Sequence, residues 1–289
     1  MARIKYPIGI QTFSKIVSGG YKYVDKTHLV YDVTDRYDYV FLSRPRRFGK
    51  SLLMSTIEAY FKGEKDLFNG LAIEKMEKDW VSYPVFRFDF SPANYVDTSR
   101  LSARIDGCLK SIAQDYSLSL DRSENSEIFA SLIKQAYLKY GQKVVILIDE
   151  YDKPLLDCLH DHDLNEKLKA ELRSFYSVIK ASDEYIKFAM LTGITKFGKL
   201  SIFSGMNNLK DISLIPCYND ICGISESEFH RDFRASIESF AEEHDISEEE
   251  AWSAFRTKYD GYHFASKGEG IYNPFSVINA FDDNELDDY

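Results

Sequence analysis

Apolar positions over the first two hundred residues alternate between two rhythms. Tyr39-Val40-Phe41-Leu42 is a short unbroken apolar run, and from Lys50 to Phe61 the apolar positions Leu52, Leu53, Ile57, Tyr60 and Phe61 recur at helical spacing. The pair predicts a strand that runs into a helix. Pro84 to Phe90 sets Phe86, Phe88 and Phe90 on one side and Val85, Arg87 and Asp89 on the other, the period of two of a second strand. Helix-patterned polar stretches follow from Thr98 to Ser117 and from Ser126 to Tyr140. Val144 to Ile148 is a continuous run of branched residues, as parallel strands buried on both faces require, and it ends in Asp149-Glu150. Leu164 to Ile179 is predicted helical, and Tyr185 to Leu191 is another buried strand that ends at Thr192-Gly193. Strand alternating with helix predicts an α/β fold, a mostly parallel sheet flanked by helices, with ligands where strands end and helices begin.

After Pro216 the pattern changes. Ser225-x-x-Glu228 and Ser247-x-x-Glu250 are capping boxes that open two helices, Gly261 is placed to end the second, and Asn273-Pro274 is an N-cap and N1 pair for a third. The expected organisation is a sheet domain over 1–215 followed by a small helical lid over 216–289. The acidic end, from Asp282 to Tyr289, is expected to be a solvated surface.

With 44% hydrophobic and 15% aromatic residues the chain is expected to fold around a substantial core. Its net charge of −10 disfavours a surface devoted to nucleic acid, which binding by cationic neutralisation of phosphates would require. Nucleic acid is expected only indirectly, if at all. Cys108, Cys158, Cys217 and Cys222 contain no C-x-x-C pair and no zinc-ligand spacing, which points to reduced thiols. No run approaches the ~18 apolar residues of a membrane span, so a soluble cytoplasmic protein is expected.

Between the first strand and its helix lies SRPRRFGKS, Ser43 to Ser51. A phosphate loop works because successive backbone N–H groups point into one concavity, the following helix presents its positive end, and a lysine adds a full charge. Gly49, Lys50 and Ser51 stand where that mechanism needs them: a glycine at the turn, an ammonium for the β- and γ-phosphates, a hydroxyl for Mg²⁺. Arg44 occupies the place of the first glycine in G-x-x-x-x-G-K-[ST]. That substitution bears on loop geometry rather than charge, since Arg44, Arg46 and Arg47 all attract phosphate. An ordinary strand–helix turn beside a basic cluster is the competing explanation. VVILIDE weighs against it, because Asp149 can hold Mg²⁺ through water and Glu150 can polarise an attacking water. Thr192, at the next strand end, is either a hydroxyl near the γ-phosphate or a turn residue before Gly193. His160 and His162 read as a solvated turn, since an i, i+2 pair shares no helix face. Lys153 and Lys196 read as surface residues, and Asp89 as a strand residue or a phosphate-site neighbour. Tyr6 and Phe13 are candidates for an adenine wall, with core packing the commoner role.

The chain resembles the bacterial AAA-ATPase-like family, related to the archaeal ATPases and the STAND-type signalling NTPases. The resemblance rests on YVDKTHLV at Tyr23 to Val30, FLSRPRRFGKSLL at Phe41 to Leu53, LIDEYDKPLL at Leu147 to Leu156, LTGITKFGKLSIFSGMNNLKDIS at Leu191 to Ser213, and YDGYHF followed by YNPFSVINAF. In that family R-P-R-R-x-G-K-S is the usual loop, so Arg44 is a family trait. The resemblance implies a P-loop NTPase fold with a helical lid, and ATP and Mg²⁺ binding by Lys50 and Ser51. It implies Walker-B roles for Asp149 and Glu150 and a sensor-like role for Thr192.

The nucleotide contacts are expected from Arg44, Arg46, Arg47, Phe48, Gly49, Lys50, Ser51 and Leu52, the metal contacts from Ser51 and Asp149, and catalysis from Lys50, Glu150 and Thr192. One of the three loop arginines would neutralise charge in the transition state. The resemblance implies that the lid carries on past Tyr289, and since members often continue into a PD-(D/E)XK nuclease-like domain, such a domain missing from this sequence and a homo-oligomer are candidate partners. The expected function is Mg²⁺-dependent ATP hydrolysis that drives a conformational change of an output domain or partner. The alternative is a nucleotide-gated interaction switch with little or no turnover. A nuclease within this chain is disfavoured, since no D…(D/E)-x-K set lies near a predicted strand.

Overall fold

The computed structural model describes residues 4–120, 124–196, 202, 208–266 and 268–289. Ten of the 23 residues in the stretch from Leu191 to Ser213 quoted above fall outside them. Two helices, α1 (Phe13–Ser18) and α2 (Thr27–Arg36), precede β1 (Tyr39–Ser43), which leads through the arginine-rich loop into α3 (Lys50–Phe61). There follow β2 (Val85–Asp89), α4 (Thr98–Asp115), α5 (Asn125–Tyr140), β3 (Val144–Asp149), α6 (Lys153–Leu156), α7 (His162–Ala181), β4 (Ile186–Gly193) and β5 (Lys210–Asp211).

These strands form one sheet in the order β2-β3-β4-β1-β5, and every pairing is parallel. Parallel strands survive only when both faces are covered, and alternate side chains of each strand show how. Phe41, Phe86, Phe88, Phe90, Ile146 and Ile148 face a core built with α4, α5 and α7. Val40, Leu42, Val145, Leu147, Phe188 and Met190 face the opposite core, with α1, α2 and α3. The unbroken apolar runs at β1 and β3 are this double burial seen along the chain.

The C-terminal stretch contains β6 (Ile224–Ser225), α8 (Glu226–Asp232), α9 (Arg234–His244), α10 (Glu248–Tyr259), β7 (Asp260–Tyr262), β8 (Ile271–Tyr272) and α11 (Pro274–Asp283). Both capping boxes form, at Ser225 with Glu228 and at Ser247 with Glu250, and Asn273 caps α11 with Pro274 in its first turn. The unit is not purely helical, however. A small antiparallel sheet, β6-β8-β7, stands beside the helices, and Gly261 lies inside β7 rather than ending α10. That helix ends at Tyr259 because Asp260 turns extended to join the sheet.

The core of this unit gathers Phe229, Phe233, Ile237, Phe255 and Tyr272, with Tyr6 and Val24 from the opposite end of the chain packed against it. At the acidic end Leu286 and Tyr289 pack on the same core while Asp287 and Asp288 stay exposed. Among the described residues no helix is long and apolar enough to cross a membrane.

Candidate functional site

The parallel pairing of β1 with β4 brings Ser43 level with Gly193, and the Arg44 amide extends it by donating to the Gly193 carbonyl at 3.1 Å. The loop then turns sharply. Arg47 and Gly49 both take left-handed backbone, φ 68° and 91°. At Gly49 an added Cβ would meet nothing within 4 Å, so glycine is favoured there by backbone angle and not by crowding. α3 starts immediately afterwards, with the unpaired N–H groups of its first turn at the mouth of the loop.

Above that turn lies a cavity of about 430 Å³, within the ~300–1,000 Å³ range of small-molecule sites. Gly49, Lys50, Ser51 and Leu52 line it together with Arg46, Arg47, Phe48 and Glu150. Its other walls come from the N-terminal stretch, Pro7 to Gln11, and from Phe275 and Ile278 of α11. Lys50 is 4% exposed, and its Nζ lies 3.2 Å from Glu150 Oε1 and donates to the Arg44 and Pro45 carbonyls at 3.2 Å each. Glu150 has left-handed backbone, φ 52°, directly after β3. Burial pushes its carboxyl above the ordinary glutamate range, the Lys50 ammonium opposes that rise, and the charges of Asp149 and Asp152 add to it.

Asp149 and Thr192 lie behind the cavity wall, 1% and 0% exposed. The Thr192 hydroxyl donates to Asp149 Oδ1 at 2.6 Å, and the Glu150 amide donates to the same oxygen at 3.2 Å. Thr192 therefore positions the aspartate. Arg87, on the middle of β2, reaches the pair from the side: its Nη2 is 3.8 Å from Asp149 Oδ2 and 3.4 Å from the Ser51 carbonyl, while Nη1 donates to Glu58 at 2.8 Å. Ser51 and Asp149 offer oxygen donors, the type Mg²⁺ takes, and too few to enclose a cation without phosphate and water oxygens. Among the described residues no group of three or more His, Cys, Asp or Glu could hold a metal by itself.

Arg44 points away from the cavity and is 1% exposed. Its guanidinium donates to the carbonyls of Ser43 (3.0 Å), Ser213 (2.7 Å), Tyr218 (3.0 Å) and Asn219 (3.4 Å), and stacks 4.1 Å over the Phe264 ring. Two further loop residues engage the C-terminal unit. The Phe48 carbonyl accepts the Gly223 amide at 3.1 Å, and its ring meets Tyr262 and Phe264 edge-on at 4.6 and 5.3 Å. The Arg47 guanidinium lies 4.2 Å over Phe275. Of the three arginines only Arg46 is exposed at the cavity without such a contact to the C-terminal unit.

Phe13 is fully buried in the core, and Tyr6 stacks on Phe281 and donates to Ser236 Oγ at 2.7 Å, so neither walls the cavity. His160 and His162 are exposed, Lys153 pairs with Asp157 on α6, and Lys196 is exposed. Asp89 stands beside Asp149 in the β2–β3 register and accepts the Ser91 amide. Sequence patterning gave no role to Asp152. It is fully buried, and its Oδ2 accepts the Ile194 amide, the Thr195 amide and the Thr195 hydroxyl at 3.0, 2.6 and 2.6 Å, which fixes the turn after β4. Lys26 was likewise unassigned; it lines the cavity and forms an ion pair with Glu228 of the first capping box.

The family described as Predicted AAA-ATPase matches residues 7–203 of this chain. A protein of Azotobacter chroococcum mcd 1, described as uncharacterized and in the vnfD 5′ region, is 40% identical over 291 residues. The alignment takes in the whole of this chain and 54% of that protein, so the chain spans about half the length of the curated relative it matches.

Proposed function

The chain belongs to the predicted AAA-ATPase family, and from that premise we propose that it binds ATP with Mg²⁺ in the cavity over Gly49, Lys50 and Ser51 and hydrolyses it. One observation carries this: a buried lysine at the start of α3 and a partly buried glutamate directly after β3 converge on the same cavity, 3.2 Å apart. The loop amides and the first turn of α3 would hold the phosphates, with Lys50 turning from Glu150 to the transferring phosphoryl group. Glu150, released from that pair, would orient and polarise the attacking water. Ser51 and Asp149 would hold Mg²⁺, which supplies charge neutralisation on the phosphoryl oxygens when bound. Thr192 and Arg87 would keep the Asp149 carboxylate in place. Arg46, the loop arginine exposed at the cavity without a contact to the C-terminal unit, is the one to neutralise transition-state charge. The sheet unit over 1–215 and the lid over 216–289 would move relative to each other in response, and an output domain or partner would receive that motion.

A second possibility is a nucleotide-gated switch with little turnover, favoured by the engagement of Lys50 with Glu150 and two loop carbonyls. Thermal shift with ATP and Mg²⁺, together with steady-state phosphate release from wild type and Glu150→Gln, tests both. For hydrolysis, ATP raises Tm in both proteins and the variant releases phosphate about 10²–10⁴-fold more slowly. ATP binding with equal inertness in both proteins would establish the switch. No ATP binding by wild type would refute both.

A further inference from the structure

The phosphate loop touches two things at once, and the same residue serves both. Lys50 Nζ is bonded to the Arg44 carbonyl, while the Arg44 side chain is bonded to the carbonyls of Ser213, Tyr218 and Asn219. These partners are all neutral backbone acceptors, so the planar guanidinium fork reads the relative placement of three peptides and does not offset a carboxylate. Four residues after Arg44, Phe48 is 1% exposed and closes the same joint from the other side. It accepts the amide of Gly223, whose φ is 96° and where a Cβ would lie 2.3 Å from Ile271 Cγ2 and 3.2 Å from Phe48 Cδ1. So tightly packed a joint moves as a unit or not at all.

We infer that Arg44 and Phe48 are positioning residues that couple the occupancy of the phosphate loop to the segment from Ser213 to Gly223 and through it to the C-terminal unit. The inference rests on the nucleotide-binding proposal above. When Lys50 turns toward a phosphate it gives up its bonds to the Arg44 and Pro45 carbonyls. The peptide between those residues is then free to shift, and Arg44 carries the shift to the three carbonyls it holds. A glycine at position 44, as in the common form of the motif, has no side chain with which to do this. The loop and the lid are thereby joined by the protein itself, in addition to any contact each makes with the nucleotide. Coupling of this kind requires an element with two arrangements that both sites bias, and the Lys50–Arg44 bond is that element.

Hydrogen exchange on the full chain, with and without ATP and Mg²⁺, tests this in wild type, Arg44→Lys, Arg44→Gly and Phe48→Leu, with thermal shift run in parallel. In wild type, nucleotide is expected to change exchange of the amides at 218–223 by about fivefold or more, the lower end of ordinary coupling. Arg44→Gly should lose that change while ATP still raises its Tm, and Arg44→Lys should retain part of it through a cation of the same charge. A full nucleotide-dependent change in Arg44→Gly would overturn the inference. So would loss of ATP binding in Arg44→Gly with unaltered exchange at 218–223 in its nucleotide-free form, because Arg44 would then be a phosphate ligand. If Arg44→Gly does not fold, Arg44→Lys and Phe48→Leu decide: a diminished change supports the coupling and a full change overturns it. A wild-type chain that binds ATP without altering 218–223 overturns the coupling alone; one that binds no ATP overturns the nucleotide proposal first.

Discussion

The two ends of the phosphate loop, eight residues apart, are built on opposite terms. At the entrance, Ser43 and Arg44 are buried and hydrogen-bonded to backbone and hydroxyl groups of Ser213, Tyr218 and Asn219, which follow β5, the strand beside β1. At the exit, Gly49 to Ser51 line a cavity, and among the described residues the charged partner of Lys50 at bonding distance is Glu150. The contrast explains how a loop can lose its first glycine and still open onto a cavity at its exit. Conformational freedom is needed at the exit, where φ is 91°, whereas the entrance needs an anchor.

Lys50→Ala is the severest test of the exit. It should lower ATP affinity and phosphate release together, turnover on the order of 10³-fold or more, since it removes the buried positive charge that faces the cavity. Unchanged ATP binding in that variant would break the contrast outright, because the exit would not be the phosphate site. At the border between the two ends, Phe48→Ala should cost about 3 kcal/mol of fold stability in a denaturant titration, the lower end for truncating a core phenylalanine because the ring also borders the cavity. A cost well under that would show that the joint with Gly223, Tyr262 and Phe264 is slack.

The gentlest probe is pH. Burial raises the Glu150 carboxyl, with Lys50 opposing, so the acid limb of turnover should lie above 4.5, the ordinary glutamate value, with activity falling as pH drops through it. Glu150→Gln should lack that limb in its residual activity. The same raised value makes this glutamate's contribution to fold stability largest below its unfolded pKa and lost as pH rises through the folded one. A limb at or below 4.5 would show that Glu150 is wetter, or better paired, than the structure places it.

Much of the sheet was legible because both-face burial leaves an unmistakable trace: β1, β3 and β4 are apolar runs with a polar residue at the exit, and α3 repeats at helical spacing. The capping boxes were legible for a local reason, that both partners lie three residues apart. What sequence could not give were contacts whose partners are remote. Arg44's acceptors lie 169, 174 and 175 residues along the chain, so its direction was open until the fold closed. The strands of the small sheet have two or three residues each, too few to display alternation. α1 and α2 were missed, and with them the stretch at residues 7–11 that walls the cavity in place of Tyr6 and Phe13. Thr192 is legible in the sequence as a polar strand end, but its hydroxyl's partner, Asp149, is 43 residues away and is not. The anchoring role of Asp152 is hidden in the same way, since the amides it holds, Ile194 and Thr195, lie 42 and 43 residues along the chain.

The sheet order sets a timetable for making this protein. β1 is the first strand synthesised, yet it sits between β4 and β5 and touches neither β2 nor β3. Ser43 bonds to Ser213, 170 residues later. At ~5–20 residues per second, roughly 10–30 s of synthesis separates the phosphate loop from the residues that hold it. Pairing over such distances also bears the loop-closure cost that slows folding of non-local sheets. On the ribosome, therefore, β2 and β3 can meet while the loop is still an exposed arginine-rich tail of β1. A nascent chain acquires its anchored arginine-rich loop only as the C-terminal unit begins to emerge, so the cavity over the loop and the unit that helps wall it come into being together.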